Sequence, residues 1–386
     1  MASRTLFVLA SLLTLLACET TQENTGSLSY ATEAAPEWTN LFKRTSGWFG
    51  GDGVFVLHSI TQGKPDRSKQ LILFSDTMVG EIKDSILQED FHMVNNSVVN
   101  LVGDRAVESA IDFPMHHNGE GKEVSIFPVK LDGTSSKEYF WLGDGFVHPT
   151  SGKTYIFAYR VIDHPEWTDQ LFKFEIAGGA LIVLPKDSQF PYEDQYQLEV
   201  PFFKGADEGN ISFGAGIFEH LHGADADGYI YIYGVRDPGK ELLVARIKPD
   251  EIESFDQWRF YSDDGWDGDF TQAVAVCDSA SNELSVSPLP NGQFALIFQI
   301  NGIDKHVGMR LGSSPIGPFD NVHRIWDCSP DLLEKEWFAY NAKAHPSISQ
   351  PGELLISYNI NSFAFWDQIN DHPQLYRPRF IRLKFK

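Results

Sequence analysis

The feature that most constrains the fold is a supersecondary unit that occurs five times along the chain. Each copy starts with a turn-prone segment and a short strand, passes through a Gly-containing turn, and contains two further strand-like runs. The second run of each copy is rich in apolar and aromatic residues, and long helical periodicity is absent. These second runs are residues 71–74, 155–159, 229–233, 294–298 and 354–358.

Five repeated units of three or four strands, with no residues left for a second domain, predict an all-β, five-bladed β-propeller over residues 38–386. A propeller closes radially, so that only short strand edges stay exposed. Aromatic residues make up 13% of the chain, and 32 Gly and 20 Pro supply the turns. The competing fold is a β-sandwich, whose strands would not come in repeating triplets.

The N-terminus resembles that of a secreted bacterial lipoprotein. Arg4 precedes an apolar run at 6–16, which is too short to span a bilayer but suits the core of a signal peptide. The run ends in Leu-Leu-Ala-Cys18, which is similar to the bacterial lipobox, whose Cys is lipidated. We therefore expect a signal peptide at 1–17, a flexible tether at 18–37, and a lipid-anchored protein in the periplasm or at the cell surface. The alternative is an ordinary secretory signal with a chance Cys.

Composition excludes several classes of partner and cofactor. Asp and Glu outnumber Lys and Arg by 53 to 31, a net charge of −22, whereas nucleic-acid binding needs a basic face. The sequence contains no Cys/His cluster with zinc spacing and no phosphate-binding Gly-rich loop. We expect no required cofactor, apart from a structural Ca²⁺ or Na⁺ ion that the propeller axis could hold. A monomer is the default, and whether Cys277 and Cys328 form a disulfide stays open.

Propeller topology brings particular polar residues to one face. The first strand of each blade lines the central channel and the second runs back antiparallel, so the start of the first and the end of the second lie together. Asp52 and Asp76 hold these two positions in the first repeat. The other residues that we place at this funnel are Asp144, Arg160, Glu219, Arg236, Glu283, His345, Asn359 and Asn361, with Asn95 and Asn96 from a neighbouring strand.

Other interpretations compete for some of these residues. An Asp beside Gly often shapes a turn through bonds to its own backbone, and both Asp52 and Asp144 lie between glycines. Glu219 and Glu283 fit turn or solvent-facing positions equally well. His345 could be a satisfied histidine of an inner strand.

Two carboxyl groups that face one cleft suit glycoside hydrolysis. One must be protonated to serve the leaving oxygen, and the other must be ionised as nucleophile or as base for water. Several acids in a partly desolvated funnel push their pKa values apart, which supplies both states near neutral pH. We predict that Asp52 and Asp76 are catalytic. Trp48 would stack on a sugar, and the other funnel residues would bind substrate.

The motifs around both aspartates resemble known families. Trp48-Phe-Gly-Gly-Asp52-Gly, Leu73-Phe-Ser-Asp76-Thr and the segments 313–319 and 340–346 look like the uncharacterised-domain families numbered 4185 and 5005. Those families belong with five-bladed propeller glycosidases, and members of the first include endo-acting enzymes on D-arabinan. The resemblance implies that Asp52 and Asp76 carry catalysis.

The expected function is therefore a glycoside hydrolase that acts on a polysaccharide or oligosaccharide, with furanosides such as arabinan slightly favoured. This chain departs from its relatives at Ser75, where they often have Gly, and in a longer insert at 104–137, and both leave the choice of sugar open. The first alternative is a non-catalytic carbohydrate-binding surface lipoprotein. The second is a scaffold whose funnel holds only an axial ion.

Overall fold

The computed structural model describes residues 29–168, 173–206 and 209–386. Within them the protein is an all-β structure with two short α-helices, α1 (Pro36–Leu41) and α2 (Phe365–Gln368). Among these residues no helix is both long and apolar enough to cross a membrane. The predicted signal peptide at 1–17 and the predicted lipidation site Cys18 lie outside the described residues.

The strands of the described residues have the following bounds. In chain order they are β1 (Tyr30–Ala34), β2 (Ser46–Gly51), β3 (Phe55–Thr61), β4 (Lys64–Phe74), β5 (Thr77–Lys83), β6 (Ile86–Leu87), β7 (His92–Val94), β8 (Ser97–Val102), β9 (Ile111–Asp112), β10 (His116–His117), β11 (Glu123–Val124), β12 (Tyr139–Val147), β13 (Thr154–Asp163), β14 (Phe174–Leu184), β15 (Tyr196–Val200), β16 (Ile211–His220), β17 (Tyr229–Arg236), β18 (Glu241–Ile247), β19 (Arg259–Ser262), β20 (Gly265–Asp267), β21 (Leu284–Pro288), β22 (Phe294–Gln299), β23 (His306–Gly312), β24 (His323–Asp327), β25 (Trp337–Ala344), β26 (Glu353–Ser362) and β27 (Arg379–Phe385).

Five antiparallel sheets succeed one another along the chain, and we number them sheets 1 to 5. Their strand orders are β3-β4-β8-β9, β12-β13-β14-β15, β16-β17-β18-β19-β20, β21-β22-β23-β24 and β1-β27-β26-β25. The five β-prone runs found in the sequence all lie in the second strands β4, β13, β17, β22 and β26, so these elements are confirmed. A smaller sheet of β2, β5, β6 and β7 adjoins sheet 1, and β10 pairs with β11.

Sheet 5 combines the two ends of the described chain. Its outermost strand β1 pairs with β27, with Tyr30 opposite Phe385 and Ala34 opposite Ile381. The sequence predicted a flexible tether as far as residue 37, and this boundary is wrong because β1 and the start of α1 already belong to the fold. Every residue of β1 is at least partly exposed, as suits an edge strand.

The five sheets pack face to face in cyclic order, with a separate apolar cluster between each consecutive pair. Strand β22 shows how the sequence achieves this: Phe294, Leu296 and Phe298 face sheet 3, and Ala295 and Ile297 face sheet 5. A strand that is covered on both faces needs an uninterrupted apolar run, which is what β22 has. The remaining clusters join sheets 1 and 2, sheets 2 and 3, and sheets 5 and 1.

The first strands of the five sheets surround a central cavity of about 260 Å³. Strands β3, β12, β16, β21 and β25 all contribute to its lining, and each contacts the next in that order. The segment that follows β25 contacts β3, so the series returns to its start. None of the sheets closes on itself; the cyclic arrangement comes from packing between sheets.

Both cysteines of the described chain are free thiols, which answers the question that the sequence left open. Cys328 is fully buried, and Cys277 is partly exposed where its backbone bridges to Leu242. Burial raises the pKa of the Cys277 thiol to about 12. Because the thiolate is the reactive form, Cys277 is unreactive near neutral pH.

The contact of α1 with sheet 5 gives a test of the ring packing. Trp38 is 4% exposed and its ring lies 6.0 Å from that of Phe380, whereas Trp366 is 59% exposed. Trp38→Ala is expected to lower the free energy of unfolding by about 3–5 kcal/mol, because it leaves a cavity under α1. Trp366→Ala is the matched control and should change it by less than about 0.5 kcal/mol. Denaturant unfolding at fixed pH measures both, and equal effects would contradict the packing described.

Candidate active site

Backbone hydrogen bonds hold Asp52 and Asp76 side by side. Asp52 lies between β2 and β3, and Asp76 lies between β4 and β5. The Asp52 amide donates to the Asp76 carbonyl at 3.2 Å, and the Ser75 amide donates to the Asp52 carbonyl at 2.8 Å. These bonds connect the β2–β5 ladder to the β3–β4 ladder, so the pairing of sheet 1 itself brings the two aspartates together.

Gly53 and Ser75 fix this crossing of two chain segments. Gly53 has a φ of +69°, and a Cβ there would lie 2.8 Å from the Ser75 hydroxyl, so only Gly fits. Ser75 is buried, and its hydroxyl accepts from the Leu142 amide at 2.9 Å. Ser75 therefore ties the Asp76 segment to sheet 2.

Asp52 is part-buried and is surrounded by donors. The Tyr340 hydroxyl donates to Asp52 Oδ2 at 2.7 Å, and the Tyr376 hydroxyl lies beside the carboxylate. Burial raises the pKa of Asp52, and the two phenols and the ammonium of Lys343 act against that rise. Its Oδ1 is buried and has no hydrogen-bond partner among the described residues.

Asp76 occupies a different electrostatic environment. Its Oδ1 accepts from the Asn95 amide group at 3.3 Å, and the indole N–H of Trp141 faces it without a hydrogen bond of regular geometry. Burial and the negative charge of Asp52 raise the pKa of Asp76 to about 8. Because Asp52 has cationic and phenolic support, Asp52 ionises first and Asp76 keeps its proton near neutral pH.

Lys343 is the buried cation beside this pair. Its side chain is 2% exposed, its ammonium donates to Glu283, and it lies 4.3 Å from the centroid of the Phe55 ring. Burial raises the pKa of Glu283 to about 7, against the opposing effect of Lys343. The charge of Asp52 adds to the rise, which places Glu283 within electrostatic reach of Asp52.

Asp144 joins two sheets through its carboxylate. Its oxygens accept from the Gly145 amide at 2.8 Å and from the Ile217 amide at 2.7 Å. The turn interpretation is therefore correct for one oxygen, while the other links β12 to β16. Burial raises the pKa of Asp144 to about 6, and Lys343 again lowers it.

Glu219 and His345 line the central cavity together with Asp144 and Lys343, and their role in substrate binding stays a prediction. Glu219 Oε1 lies 3.6 Å from His58 Nε2, and burial together with the charge of Asp144 raises the pKa of Glu219 to about 8. His345 is buried and shares a 2.7 Å hydrogen bond with the Ser357 hydroxyl, as the inner-strand interpretation expected. No group of three or more described His, Cys, Asp or Glu side chains is arranged to hold a metal ion.

Two predicted substrate contacts prove to be buried structural residues. Trp48 is 1% exposed and packs against Phe42 and Phe74, with ring centroids 6.0 and 5.1 Å away. Asn96 is 1% exposed, and its amide bonds the backbone of Phe127 and Phe140. Neither can touch a sugar, because both side chains are enclosed by the core.

Both predicted arginines are engaged inside their own sheets. Arg160 lies 3.5 Å from Glu138 and 3.2 Å from Glu199, within sheet 2. Arg236 bonds Glu241 and donates to the Ala273 carbonyl at 3.2 Å, within and beside sheet 3. Both side chains therefore make structural contacts, and their role in substrate binding stays a prediction.

The two amides of β26 position other groups. Asn359 is fully buried and donates to the Gly51 carbonyl at 3.0 Å, which steadies the segment before Asp52. Asn361 donates to the Tyr340 hydroxyl at 3.4 Å. Direct contact with a sugar is ruled out for Asn359, and Asn361 stays accessible beside the site.

Sequence reasoning missed Lys343, Tyr376 and the Tyr139–Asp163 pair. The Tyr139 hydroxyl donates to Asp163 at 2.8 Å, and the charge of Asp163 contributes to the raised pKa of Asp76. Lys343 had a signal, because it is the only charged residue in β25, a strand that faces the channel. Tyr376 lies in an irregular loop outside the repeats, where no pattern marks it.

The described residues form five β-sheets around a central cavity, with the carboxyl groups of Asp52, Asp144 and Glu283 in or shortly before first strands of these sheets. The chain belongs to the family described as domain of unknown function DUF5005, whose model matches residues 36–385. The 5005 part of the resemblance seen in the sequence is thus confirmed. No curated protein matches the chain.

The chain is similar to several solved structures. A hydrolase candidate from Bacteroides ovatus is 19% identical with a TM-score of 0.69, over 91% of this chain and 90% of that one. The GH43 protein BlXynB from Bacillus licheniformis is 12% identical with a TM-score of 0.43, over 86% of this chain and 51% of that one. An exo-β-1,3-galactanase from Phanerochaete chrysosporium is 10% identical with a TM-score of 0.43, over 91% and 64%. This chain thus spans less than two thirds of the last two.

The raised pKa of Asp76 predicts a pH dependence of stability. The native protein retains a proton at Asp76 up to about pH 8, whereas the unfolded chain loses it near pH 4. The contribution of Asp76 to the free energy of unfolding should therefore be largest below about pH 4 and fall as the pH rises towards 8. Asp76→Asn should flatten this fall by up to about 1.4 kcal/mol per pH unit, as measured by denaturant unfolding between pH 5 and 8. The exposed variant Asp112→Asn should keep the wild-type slope, and an unchanged slope in Asp76→Asn would contradict the prediction.

Proposed function

We propose that this protein is a glycoside hydrolase that cleaves an oligosaccharide or polysaccharide with Asp52 and Asp76. The observation that carries the proposal is the different environment of two adjacent carboxyl groups. Tyr340 and Lys343 lower the pKa of Asp52, whereas burial and the negative charge of Asp52 raise the pKa of Asp76. Such a pair supplies an ionised and a protonated carboxyl at the same pH. The Bacteroides ovatus protein of similar fold is named as a hydrolase candidate, which agrees with this assignment.

The two environments assign the roles. Asp76 is the acid, and it gives its proton to the leaving glycosidic oxygen. Asp52 is the nucleophile or the base for water, and its unpartnered Oδ1 is the atom that would act. Lys343, Tyr340 and Tyr376 keep Asp52 ionised, while Asn95 orients Asp76.

The supporting fold in this proposal is a five-bladed β-propeller, with sheets 1 to 5 as its blades. Support comes from the cyclic order of the five interfaces and from the one cavity that all five first strands line. Furanosides such as arabinan are the first substrates to test, on the resemblance to the 4185 family. Lipidation of Cys18 would hold this enzyme at the bacterial envelope.

Activity on a panel of polysaccharides tests the assignment. The wild-type protein should release reducing ends from at least one member of a panel that includes arabinan. Asp52→Asn and Asp76→Asn should each lower kcat by at least about 100-fold, because each removes one half of acid–base catalysis. Asp112→Asn, an exposed change in β9, should keep full activity.

Two results would contradict the proposal. Turnover that survives both substitutions would remove Asp52 and Asp76 from the mechanism. Glycan binding without turnover on any member would instead favour the non-catalytic carbohydrate-binding protein.

The pH profile of kcat/KM gives an independent check on the roles. The alkaline limb should lie near pH 8, where Asp76 loses its proton. Asn95→Ala removes a donor that lowers the pKa of Asp76, so the limb should move to higher pH. Asn282→Ala on the exposed surface serves as the control and should leave the limb in place. A shift to lower pH in Asn95→Ala would refute the assignment of Asp76 as the acid.

A further inference from the structure

The indole N–H of Trp141 is a buried donor that no described residue satisfies. Trp141 lies in β12 and is half-buried, and its nitrogen Nε1 has no hydrogen-bond partner of regular geometry. A buried N–H without an acceptor costs free energy, so native proteins keep few of them. Trp48 has the same feature, but its ring is enclosed by apolar side chains, whereas the nitrogen of Trp141 faces the carboxyl group of Asp76.

The residue after Trp141 is bound to the residue before Asp76. The Ser75 hydroxyl accepts from the Leu142 amide at 2.9 Å and donates to the Leu142 carbonyl at 3.2 Å. Both residues are buried, so water does not compete for these bonds. Trp141 precedes Leu142 and Asp76 follows Ser75, so this double contact keeps the two side chains adjacent.

A second contact fixes the other side of Trp141. The side-chain amide of Asn96 donates to the Phe140 carbonyl at 3.0 Å, and both residues are buried. Asn95, the residue before Asn96, donates to Asp76 Oδ1 at 3.3 Å. Trp141 and Asn95 are therefore held beside the same carboxyl group as two neutral donors.

The ring of Trp141 is itself held by aromatic neighbours. It packs edge-on against Phe174, with centroids 4.5 Å apart, and against Tyr139, with centroids 6.2 Å apart. The Tyr139 hydroxyl donates to Asp163 at 2.8 Å, which fixes that ring in turn. A donor that is already oriented needs no reorganisation when negative charge develops beside it.

The titratable groups around Asp76 are acidic. Those that interact with it electrostatically are Asp52, Asp163, Tyr139 and Tyr376. Burial and the negative charges of Asp52 and Asp163 raise the pKa of Asp76, so a carboxylate there depends on neutral donors. As the acid, Asp76 becomes such a carboxylate: its O–H bond breaks, the proton goes to the leaving glycosidic oxygen, and the electron pair stays on Asp76.

We propose that Trp141 is a positioning residue of the reaction, whose indole N–H binds the carboxylate that Asp76 becomes when it gives up its proton. The proposal rests on the proposed function and adds a residue to it. A hydrogen bond to a carboxylate is roughly twice as strong as one to a neutral acid. The bond therefore strengthens as the proton leaves, and only such an interaction accelerates the chemical step. Its irregular geometry in the structure suits a donor whose acceptor gains charge only during the reaction.

Two substrates separate this role from simple packing. Trp141→Phe keeps a ring against Phe174 and removes the N–H. On the polysaccharide that the wild type hydrolyses, the variant should lose about tenfold in kcat/KM. On a dinitrophenyl glycoside of an oligosaccharide released from it, whose leaving group departs without a proton, the variant should stay within about twofold of wild type. Trp266→Phe, the same change in β20 of sheet 3, should stay within about twofold on both.

The alkaline limb of the pH profile gives a second reading. Loss of a donor to the carboxylate raises the pKa of Asp76, so the limb near pH 8 should move to higher pH in Trp141→Phe. A loosened site would admit water and move the limb to lower pH instead. Equal losses on the two substrates, no loss on either, or a limb at lower pH would overturn the role of Trp141.

If the wild type hydrolyses no glycan, the proposed function fails separately, and NMR of the indole N–H signals decides the bond. In the wild type the Trp141 signal should move downfield as the pH rises through about 8, because its acceptor becomes charged. In Asp76→Asn it should stay in place, which identifies the signal even if Trp141→Phe does not fold. A wild type without such a signal, or the same movement in Asp76→Asn, overturns the proposal.

Discussion

Packing of one sheet against the next is the interaction on which the whole molecule depends. Strand β22 is covered on both faces by neighbouring sheets, so sheet 4 buries its apolar residues only when sheets 3 and 5 pack against it. The series is complete only when sheet 5 meets sheet 1, where Phe380 of β27 and Ile72 of β4 share a cluster with α1. Because β1 completes sheet 5, the first described residues and the last are needed for the same interface.

The site follows from this arrangement. The first strands of the five sheets line one cavity. The polar side chains near the ends of these strands are partly desolvated together. Four carboxyl groups and one buried ammonium share this region, and burial dominates the pKa of each acid. The differences between the acids come from their partners: Lys343 and two phenols beside Asp52, and the charge of Asp52 itself beside Asp76. The neighbouring carboxyl groups of Asp52 and Asp76 therefore differ in protonation at the same pH.

The sequence predicted the repeats and the Asp52–Asp76 pairing because both depend on local periodicity and on one hairpin. Asp52 shortly precedes β3 and Asp76 shortly follows β4. The pairing of β3 with β4 therefore brings their backbones within hydrogen-bonding distance. Trp48 and Asn96 were misplaced because their side chains are enclosed by the core, and the bulge beside Trp48 in the β2–β5 pairing has no mark in the sequence. Arg160 and Arg236 bond carboxylates of their own sheets, which depends on strand register. Lys343 and Tyr376 approach Asp52 only through sheet 5, so their role depends on long-range closure.

The meeting of the chain ends has a topological consequence. The Lys386 amide donates to the Ser29 carbonyl at 2.8 Å, so the described chain forms nearly a closed loop. The pairing and packing of the sheets therefore do not depend on which residue comes first in the chain. A gene in which residues 386 and 29 are fused and new ends are opened at the exposed turn around Gly292 would encode the same architecture with a different linear order of parts.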